Sequence, residues 1–194
     1  MEKKKQRKLI IMQSLAAMLE ERDLLKITTA ELAKRSEITE AAIYKHFPSK
    51  RKIYEELVVF FEESIFTRLV LMREETNPED FPGQLISLIL KFCETNKGFS
   101  RILTREVFTA DEIKIIDKVS NCFEKINIEI RQSLQDYERT TKKKLNLNLA
   151  VSCDLLLSCL EGQIQSFVRS KFKKDLSSSW QDQWSFLKKA IFPS

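Results

Sequence analysis

The sequence predicts an all-α fold, and three observations lead to this prediction. Apolar residues recur three or four positions apart along most of the 194-residue chain, which is the period of an amphipathic helix. No segment shows the sustained alternation of apolar and polar residues that is typical of a half-buried strand. The chain also has only 3 Gly and 4 Pro, which is too few for the many tight turns of a sheet protein.

Capping residues divide the first seventy residues into four predicted helices. Thr28 with Glu31 three positions later forms a capping-box pattern. Ser49 follows a Phe-Pro break and can cap a long helix. The predicted helices in this part of the chain span residues 4–23, 28–35, 39–45 and 49–72.

The remaining chain is predicted to form five helices and two loops. Asn, Pro and Gly cluster in residues 73–83, and residues 138–148 are polar and basic, so both segments are predicted loops. The last-but-one helix has two low-charge faces, which indicates a core on one face and a partner subunit on the other. One is an apolar stripe that includes Cys153, Leu160 and Ile164, and the other is a weakly polar stripe of Ser152, Leu156, Cys159, Gln163 and Ser166. A deep helix in a larger monomeric core is the alternative. The five predicted helices span residues 84–95, 99–108, 113–137, 149–172 and 177–192.

The basic charge of the chain is concentrated in its first quarter. Residues 1–53 contain 13 Lys and Arg against 7 Asp and Glu, a net charge of +6, whereas the whole chain carries +5. A local basic face on an otherwise balanced protein predicts a polyanionic partner, of which nucleic acid is the commonest. A solvated basic tail that only aids solubility is the alternative.

Composition argues against an enzyme, a metalloprotein and a membrane protein. The chain has one histidine, His46, and its four cysteines form no Cys-x-x-Cys pair, so no metal set or nucleophile–base pair can be assembled. The cysteines lie in apolar segments and are interpreted as buried thiols of a reducing compartment. There is no apolar run of about 20 residues and no secretory signal. We therefore expect a cytoplasmic protein with no cofactor, metal or membrane span.

Residues 28–45 carry the functional prediction, because two short helices joined by a tight turn form the helix-turn-helix plan. The first helix would cross the DNA backbone while the second enters the major groove. Ala42 and Ile43 can face the protein core. The other side chains of the second helix are left for the bases and phosphates, namely Thr39, Glu40, Ala41, Tyr44 and Lys45.

Two strings in this region resemble the TetR family of DNA-binding regulators. They are Ile27-Thr28-Thr29-Ala30-Glu31-Leu32-Ala33 and Ile43-Tyr44-Lys45-His46-Phe47-Pro48-Ser49-Lys50, and the Tyr-x-His-Phe-x-x-Lys pattern is highly specific to that family. The resemblance implies a homodimer with a three-helix helix-turn-helix domain over residues 1–48 and a helical dimerisation and partner-binding domain over 49–194. It also implies phosphate contacts by Tyr44, His46 and Lys50. The whole predicted DNA-binding set is Thr28, Thr29, Thr39, Glu40, Ala41, Tyr44, Lys45, His46 and Lys50.

Two of these features leave alternatives open. His46 is interpreted alternatively as a histidine that only packs at a helix end. The TetR family usually has Gly in the turn where this chain has Glu37. If that position is left-handed, Glu costs roughly 1–2 kcal/mol there, so either the turn relaxes or its geometry shifts.

The resemblance extends along nearly the whole chain to one branch of the TetR family, the nucleoid occlusion factors. Arg101-Ile102-Leu103-Thr104 and Phe167-Val168-Arg169-Ser170 are among the strings that carry it. It implies dimers that bind chromosomal sites and, while bound, antagonise assembly of the tubulin-like division protein FtsZ. The implied groove for the C-terminal tail of FtsZ involves Phe60, Arg68, Leu88 and Asn96. At Lys91 and Thr95 the chain departs from the pattern of this branch.

Helix geometry gives a separate argument for this groove. Phe60, Ser64 and Arg68 share one ridge of the long helix, beside an apolar ridge that should face the core and contains Phe61, Ile65 and Leu69. The mixed ridge suits a peptide with apolar and acidic groups. The alternative is that Phe60 is a core residue and Arg68 a solvated charge.

A transcriptional repressor that is released by a small ligand is the competing function. It needs a cavity with a few converging polar groups in the C-terminal part, for which Asn127, Glu161 and Gln163 are candidates. The favoured interpretation does not require a small-molecule ligand. Its partners are double-stranded DNA, FtsZ and a second copy of the chain.

Overall fold

The structure is a computed structural model that describes residues 2–21 and 27–193, without the side chains of residues 2–4 and Ala110. All regular structure in these ranges is helical, which confirms the predicted fold class, and none of these helices is long and apolar enough to cross a membrane. A 3-10 turn at Ala110–Glu112 precedes α7. The α-helices are α1 (Glu2–Glu21), α2 (Thr29–Arg35), α3 (Glu40–His46), α4 (Lys50–Glu75), α5 (Phe81–Thr95), α6 (Lys97–Leu103), α7 (Ile113–Thr141), α8 (Leu149–Arg169) and α9 (Leu176–Ile191). The end of the first predicted helix, at residues 22–23, lies outside the described residues.

The chain divides into two compact units. Unit one comprises Met1–Glu62 with Asn96–Val119, and unit two comprises Glu63–Thr95 with Ser120–Ser194. Unit one thus contains α1, α2, α3 and α6, and unit two contains α5, α8 and α9.

In unit one, α1 packs against α2, α3 and α6 through a fully buried apolar stripe. The stripe consists of Ile11, Leu15, Met18 and Leu19. Gly98 of α6 lies directly against α1, because a Cβ atom added there would lie only 2.1 Å from the carbonyl oxygen of Ala16. Glycine is therefore the residue that allows these two helices to approach so closely.

In unit two, α5 packs against α8 and α9. The indole Nε1 of Trp180 donates a hydrogen bond to the carbonyl oxygen of Gly83 at 2.9 Å. A Cβ atom on Gly83 would lie 2.2 Å from the ring of Trp184. The first turn of α5 is thus fixed against two aromatic residues of α9.

The first predicted loop, over residues 73–83, is shorter than predicted. Helix α4 continues to Glu75 and α5 begins at Phe81, so Pro82 and Gly83 lie in the first turn of a helix. Proline is tolerated there because its missing N–H would have no intrahelical acceptor. The second predicted loop is shortened in the same way, since α7 continues to Thr141.

Two predicted helices end earlier than expected, because residues after their ends have left-handed backbone conformations. The helix predicted over 99–108 ends at Leu103, and Arg105 has a φ of 63°. Helix α8 ends at Arg169 rather than at 172, and Lys171 and Phe172 have φ values of 55° and 62°. Phe172 donates its N–H to the carbonyl of Phe167 at 2.9 Å, which is the hydrogen bond of a Schellman motif.

Most of both low-charge faces of α8 is buried by the chain itself, and only Cys159 and Ser166 of the second stripe are half-buried. Ser152, Leu156 and Gln163 belong to the stripe that was expected to meet a partner subunit, yet they are buried beside the core stripe of Cys153, Leu160 and Ile164. Helices α5 and α9 pack against α8. That assignment of the stripe to a partner was wrong. The exposed face of α8 is a different one, with Val151, Ser158 and Gly162.

Candidate functional site

The helix-turn-helix begins with α2, which is capped at both ends. The side-chain oxygen of Thr28 accepts a hydrogen bond from the N–H of Glu31 at 3.2 Å, as the capping-box pattern predicted. At the other end, Ile38 donates its N–H to the carbonyl of Ala33 at 3.0 Å, and Glu37 donates to Lys34 at 3.3 Å. These two bonds form a Schellman motif.

Glu37 occupies the left-handed position of this motif, with a φ of 55°. The turn therefore keeps the geometry for which glycine is the favourable residue, and it does not relax around the glutamate. Exposed Glu37 adds a negative charge to the turn that leads into α3.

Helix α3 presents one exposed face. Thr39 caps it by accepting a hydrogen bond from the N–H of Ala42 at 3.2 Å, and Ile43 is buried against the rest of unit one. The residues that were predicted to face DNA are all exposed, and they are Thr39, Glu40, Ala41, Tyr44 and Lys45. Tyr44 is 50% exposed although it is a large aromatic residue. An aromatic side chain with a phenolic hydroxyl suits contact with a phosphate or sugar.

A bidentate ion pair joins the end of α2 to the end of α1. The Nη1 and Nη2 atoms of Arg35 donate to the two carboxylate oxygens of Glu21 at 2.6 and 2.8 Å. This hydrogen bonding raises the pKa of the Arg35 guanidinium. The pair was not predicted from the sequence, because residues 14 positions apart on different helices share no recognisable spacing.

Lys50 has a structural contact in addition to its predicted phosphate contact. Its Nζ atom donates to the carbonyl oxygen of Ile27 at 2.8 Å and lies 5.8 Å from the ring centre of Tyr54. Ile27 directly precedes the capping residue Thr28, so Lys50 links the start of α4 to the start of α2. An ammonium group has three donors, so the bond to Ile27 leaves two for a phosphate.

Different environments surround three other residues of the DNA-binding region, namely Lys52, His46 and Thr29. Lys52 forms ion pairs with Glu55 and Glu56 at 3.0 and 3.7 Å. The half-buried His46 has a buried Nδ1 atom with no hydrogen-bond partner in the described part of the chain. A histidine that only packs at a helix end would have a hydrogen-bond partner for a buried ring nitrogen, and Nδ1 has none among the described residues. Contact of His46 with DNA stays a prediction. Thr29 is half-buried at the first position of α2.

The predicted partner-binding residues belong to both units. In unit one, Phe60 is 38% exposed and its ring centre lies 5.9 Å from that of Phe99, while Asn96 is half-buried at the start of α6. In unit two, Arg68 is exposed and Leu88 is half-buried. The apolar ridge of α4 is buried as predicted, since Phe61, Ile65 and Leu69 are all at most 3% exposed.

The polar residues considered for a ligand cavity have dissimilar environments. Gln163 is hydrogen-bonded to Gln183 and to Lys174, each at 2.6 Å. Glu161 is exposed, and the buried Oδ1 atom of Asn127 has no partner among the described residues. In the same part of the chain, no group of three His, Cys, Asp or Glu residues could hold a metal ion.

The fold and the exposed α3 define a helix-turn-helix DNA-binding protein of the regulator type. Residues 11–57 match the family of bacterial regulatory proteins of the tetR type, and residues 83–191 match the SlmA-like group of tetracyclin repressor-like C-terminal domains. Two solved structures, of a transcriptional regulator FadR and of a fatty acid degradation regulator FadR, have the same fold. The protein from Bacillus subtilis, in complex with stearoyl-CoA, has a TM-score of 0.75 and 14% identity over 94% of this chain and 98% of that chain. The protein from Bacillus halodurans has a TM-score of 0.77 and 14% identity over 94% and 95%.

Full-length relatives are more similar in sequence. The nucleoid occlusion factor SlmA of Shewanella halifaxensis is 38% identical over 185 residues, which cover 95% of this chain and 94% of that protein. The nucleoid occlusion factor SlmA of a Marinomonas species is 35% identical over 186 residues with the same coverage. The chain belongs to the SlmA family within the TetR-type DNA-binding regulators, which is a family of regulators and not of enzymes.

Proposed function

We propose that this protein is a nucleoid occlusion factor that binds chromosomal DNA as a homodimer and, while bound, antagonises FtsZ assembly. The observation that carries the proposal is the near full-length similarity to the SlmA relatives, at 38% identity over 95% of the chain. In this proposal residues 1–48 bind DNA, residues 49–194 dimerise and bind the partner, and the protein is located on the nucleoid in the cytoplasm.

The exposed face of α3 supports the DNA-binding step. Thr39, Glu40 and Ala41 occupy the exposed start of α3, where recognition helices contact base edges. Tyr44, Lys45 and other residues around this face would contact phosphates, and the excess basic charge of residues 1–53 supplies the attraction to DNA. The proposed DNA contacts are Thr28, Thr29, Thr39, Glu40, Ala41, Tyr44, Lys45, His46 and Lys50.

The exposed faces of α8 and α9 support dimerisation. Val151 and Phe186 are 52% and 73% exposed, and α8 and α9 pack side by side in unit two. Gly162 is exposed on α8, and a Cβ atom added there would meet no other atom within 4 Å. A glycine on an exposed helix face leaves room for a helix of a second copy to approach closely. Aromatic residues such as phenylalanine are enriched at protein–protein interfaces.

The partner step is proposed to use Phe60, Arg68, Leu88 and Asn96 for the C-terminal tail of FtsZ. Exposed Phe60 and Arg68 offer one aromatic and one cationic contact, which suits a tail with apolar and acidic groups. This exposure fits the binding interpretation of Phe60 better than a core role. Exposed Lys91 forms an ion pair with Glu94 at 3.8 Å, so part of its charge is already compensated.

The decisive experiment is sedimentation of FtsZ polymers in the presence of this protein, with and without a duplex that it binds specifically. We expect the pelleted fraction of FtsZ to fall, and to fall further with the specific duplex than with a random duplex of equal length. An unchanged pellet in all arms would contradict the proposal. Release of the duplex on addition of a small ligand, with no effect on FtsZ, would instead support the ligand-responsive repressor.

A further inference from the structure

A small cleft in unit one lies between α1 and the turn that joins α2 to α3. It has a volume of about 240 Å³. Three isoleucines form its apolar part, since Ile10 and Ile11 come from α1 and Ile38 from the turn. Ile10 is 44% exposed, whereas Ile11 is fully buried. Clefts for drug-sized ligands are larger, roughly 300–1,000 Å³, so this cleft suits a small molecule.

The two charged residues that line this cleft have opposite charges and come from different elements. Arg7 belongs to α1, and Glu37 belongs to the turn. Both residues are exposed, and neither forms an ion pair with another residue of the described ranges. A guanidinium forms strong hydrogen bonds with a carboxylate, and a carboxylate forms them with an ammonium group. The cleft therefore contains one binding partner for each charge of a zwitterion.

Ser36 gives an independent indication of a ligand. It lines the cleft and is 7% exposed, and its buried Oγ atom has no hydrogen-bond partner in the part of the chain that the structure describes. A buried hydroxyl without a partner costs free energy, and a ligand that hydrogen-bonds to it would remove that cost. The adjoining Glu37 has a left-handed backbone, and strained residues of this kind cluster at ligand-binding segments.

We propose that this cleft binds an apolar α-amino acid. In this assignment Arg7 binds the carboxylate of the amino acid, Glu37 binds its ammonium group, and the isoleucines contact its side chain. Charge complementarity selects a zwitterion, because a simple acid or a simple amine would use only one of the two charged residues. The site shares no residue with the proposed DNA contacts or with the proposed partner-binding residues.

The position of the cleft connects it to α3. Ile38 directly precedes Thr39, whose side chain caps α3. A bound amino acid would therefore contact both α1 and the segment that leads into α3. This site lies in unit one, so it is distinct from the cavity in the C-terminal part that a ligand-responsive repressor would need.

The test is a calorimetric titration of the full-length protein with L-leucine. We expect saturable binding with one molecule per chain. Glycine lacks the apolar side chain and isocaproate lacks the ammonium group, so each should bind at least about tenfold more weakly than L-leucine.

Two variants test the charged residues of the cleft. Arg7→Gln and Glu37→Gln each remove one charge and keep a polar side chain, and both should weaken L-leucine binding at least about tenfold. Lys5→Gln and Lys34→Gln are the matched controls, because they remove exposed charges of α1 and α2 that do not line the cleft. Their affinity for L-leucine should stay within about twofold of the unchanged protein. Far-UV circular dichroism of all four variants should match the unchanged protein, which shows that they are folded.

Three results would overturn this inference. The first is the absence of saturable binding of L-leucine. The second is glycine or isocaproate binding as tightly as L-leucine, because the cleft would then not recognise an apolar zwitterion. The third is unchanged affinity for L-leucine in Arg7→Gln or in Glu37→Gln, because the amino acid would then bind without that charge. None of these measurements involves FtsZ or DNA, so they leave the proposed function to its own experiment.

Discussion

Lys50 combines an observed structural contact with a proposed contact to DNA. Its bond to the carbonyl of Ile27 links it to the start of α2, and we propose that its two remaining donors contact a phosphate. Lys50→Met should weaken binding to specific and random duplexes alike. A plot of log Kobs against log salt concentration falls, and its slope should become shallower by about one, because one phosphate contact is lost.

Lys52→Met is the matched control for that measurement. Lys52 is already paired with Glu55 and Glu56, and these hydrogen bonds and charges raise the pKa of its ammonium group. Its removal should therefore change the slope less. A slope that is unchanged by Lys50→Met would restrict Lys50 to its bond with Ile27.

Glu37 is a residue at which the backbone conformation works against the side chain. Its φ of 55° brings its Cβ atom too close to the following carbonyl oxygen, which destabilises the folded protein. Glu37→Gly should raise the free energy of unfolding by about 0.5–1 kcal/mol, which is less than the full cost because glycine also loses more entropy on folding. Thermal denaturation would show a Tm higher by a few degrees. Glu37→Ala retains the Cβ atom and should show no such increase.

At the scale of single residues, the sequence was a good guide to which side chains are exposed. It was a poor guide to the residues that each side chain contacts. The exposure of α3 and the buried ridge of α4 followed from helical spacing. The Arg35–Glu21 pair and the bond from Lys50 to Ile27 did not, because both join residues that are distant in sequence. Thr39 shows the same limit, since its side chain both caps α3 and is predicted to lie near the bases.

At the scale of elements, Glu94 is an unusual cap because it lies on α5 and stabilises the start of α9. Its carboxylate accepts from the N–H groups of Leu176 and Ser177 at 2.7 and 3.0 Å, and also from the Ser177 hydroxyl. Burial raises the pKa of Glu94, but these hydrogen bonds and nearby Lys91 outweigh it, so the pKa lies below its ordinary value of 4.5.

A group with a lowered pKa in the folded state stabilises the fold above its unfolded pKa and loses this effect as pH falls. Glu94→Gln should therefore lower Tm at pH 7, and the difference from the unchanged protein should shrink as pH falls below about 4.5. Calorimetry at several pH values would measure it. The exposed Glu124 provides the control, since Glu124→Gln should have little effect at any pH. A difference that is the same at pH 3 and pH 7 would contradict an electrostatic role.

Element boundaries show where sequence patterns are insufficient. Proline and glycine usually mark loops, but Pro82 and Gly83 lie in the first turn of α5, where proline is tolerated and where glycine admits the ring of Trp184. The early end of α8 depends on left-handed Lys171 and Phe172. Neither residue type predicts that conformation, so no sequence signal was available.

At the scale of the whole molecule, the interface between two copies is the main prediction. Phe186→Glu should convert the dimer into a monomer, because it places a charge in the apolar contact that we propose for α8 and α9. Sedimentation velocity would show this as a lower sedimentation coefficient. Binding to a two-half-site duplex should weaken as well, since a monomer can occupy only one half-site at a time.

Val70→Glu is the control for dimerisation, because Val70 of α4 is 65% exposed, close to the 73% of Phe186, but lies outside α8 and α9. A Phe186→Glu protein that sediments like the unchanged one would place the interface elsewhere. The sequence indicated dimerisation through its family resemblance. The helical periodicity of α8 assigned the weakly polar stripe to a partner subunit, but residues of the same chain bury most of that stripe. Periodicity alone cannot tell whether α9 or a second copy covers a weakly polar face.

The environments of the four cysteines provide a way to observe assembly directly. Cys93, Cys122 and Cys153 are buried, whereas Cys159 of α8 is partly open to solvent, and all four are free thiols. Burial raises the pKa of the Cys159 thiol, so labelling with a maleimide dye should be slow at neutral pH and faster in mild alkali. One fluorophore per chain, attached next to the exposed face of α8 without any engineered cysteine, would report subunit exchange by energy transfer between differently labelled copies.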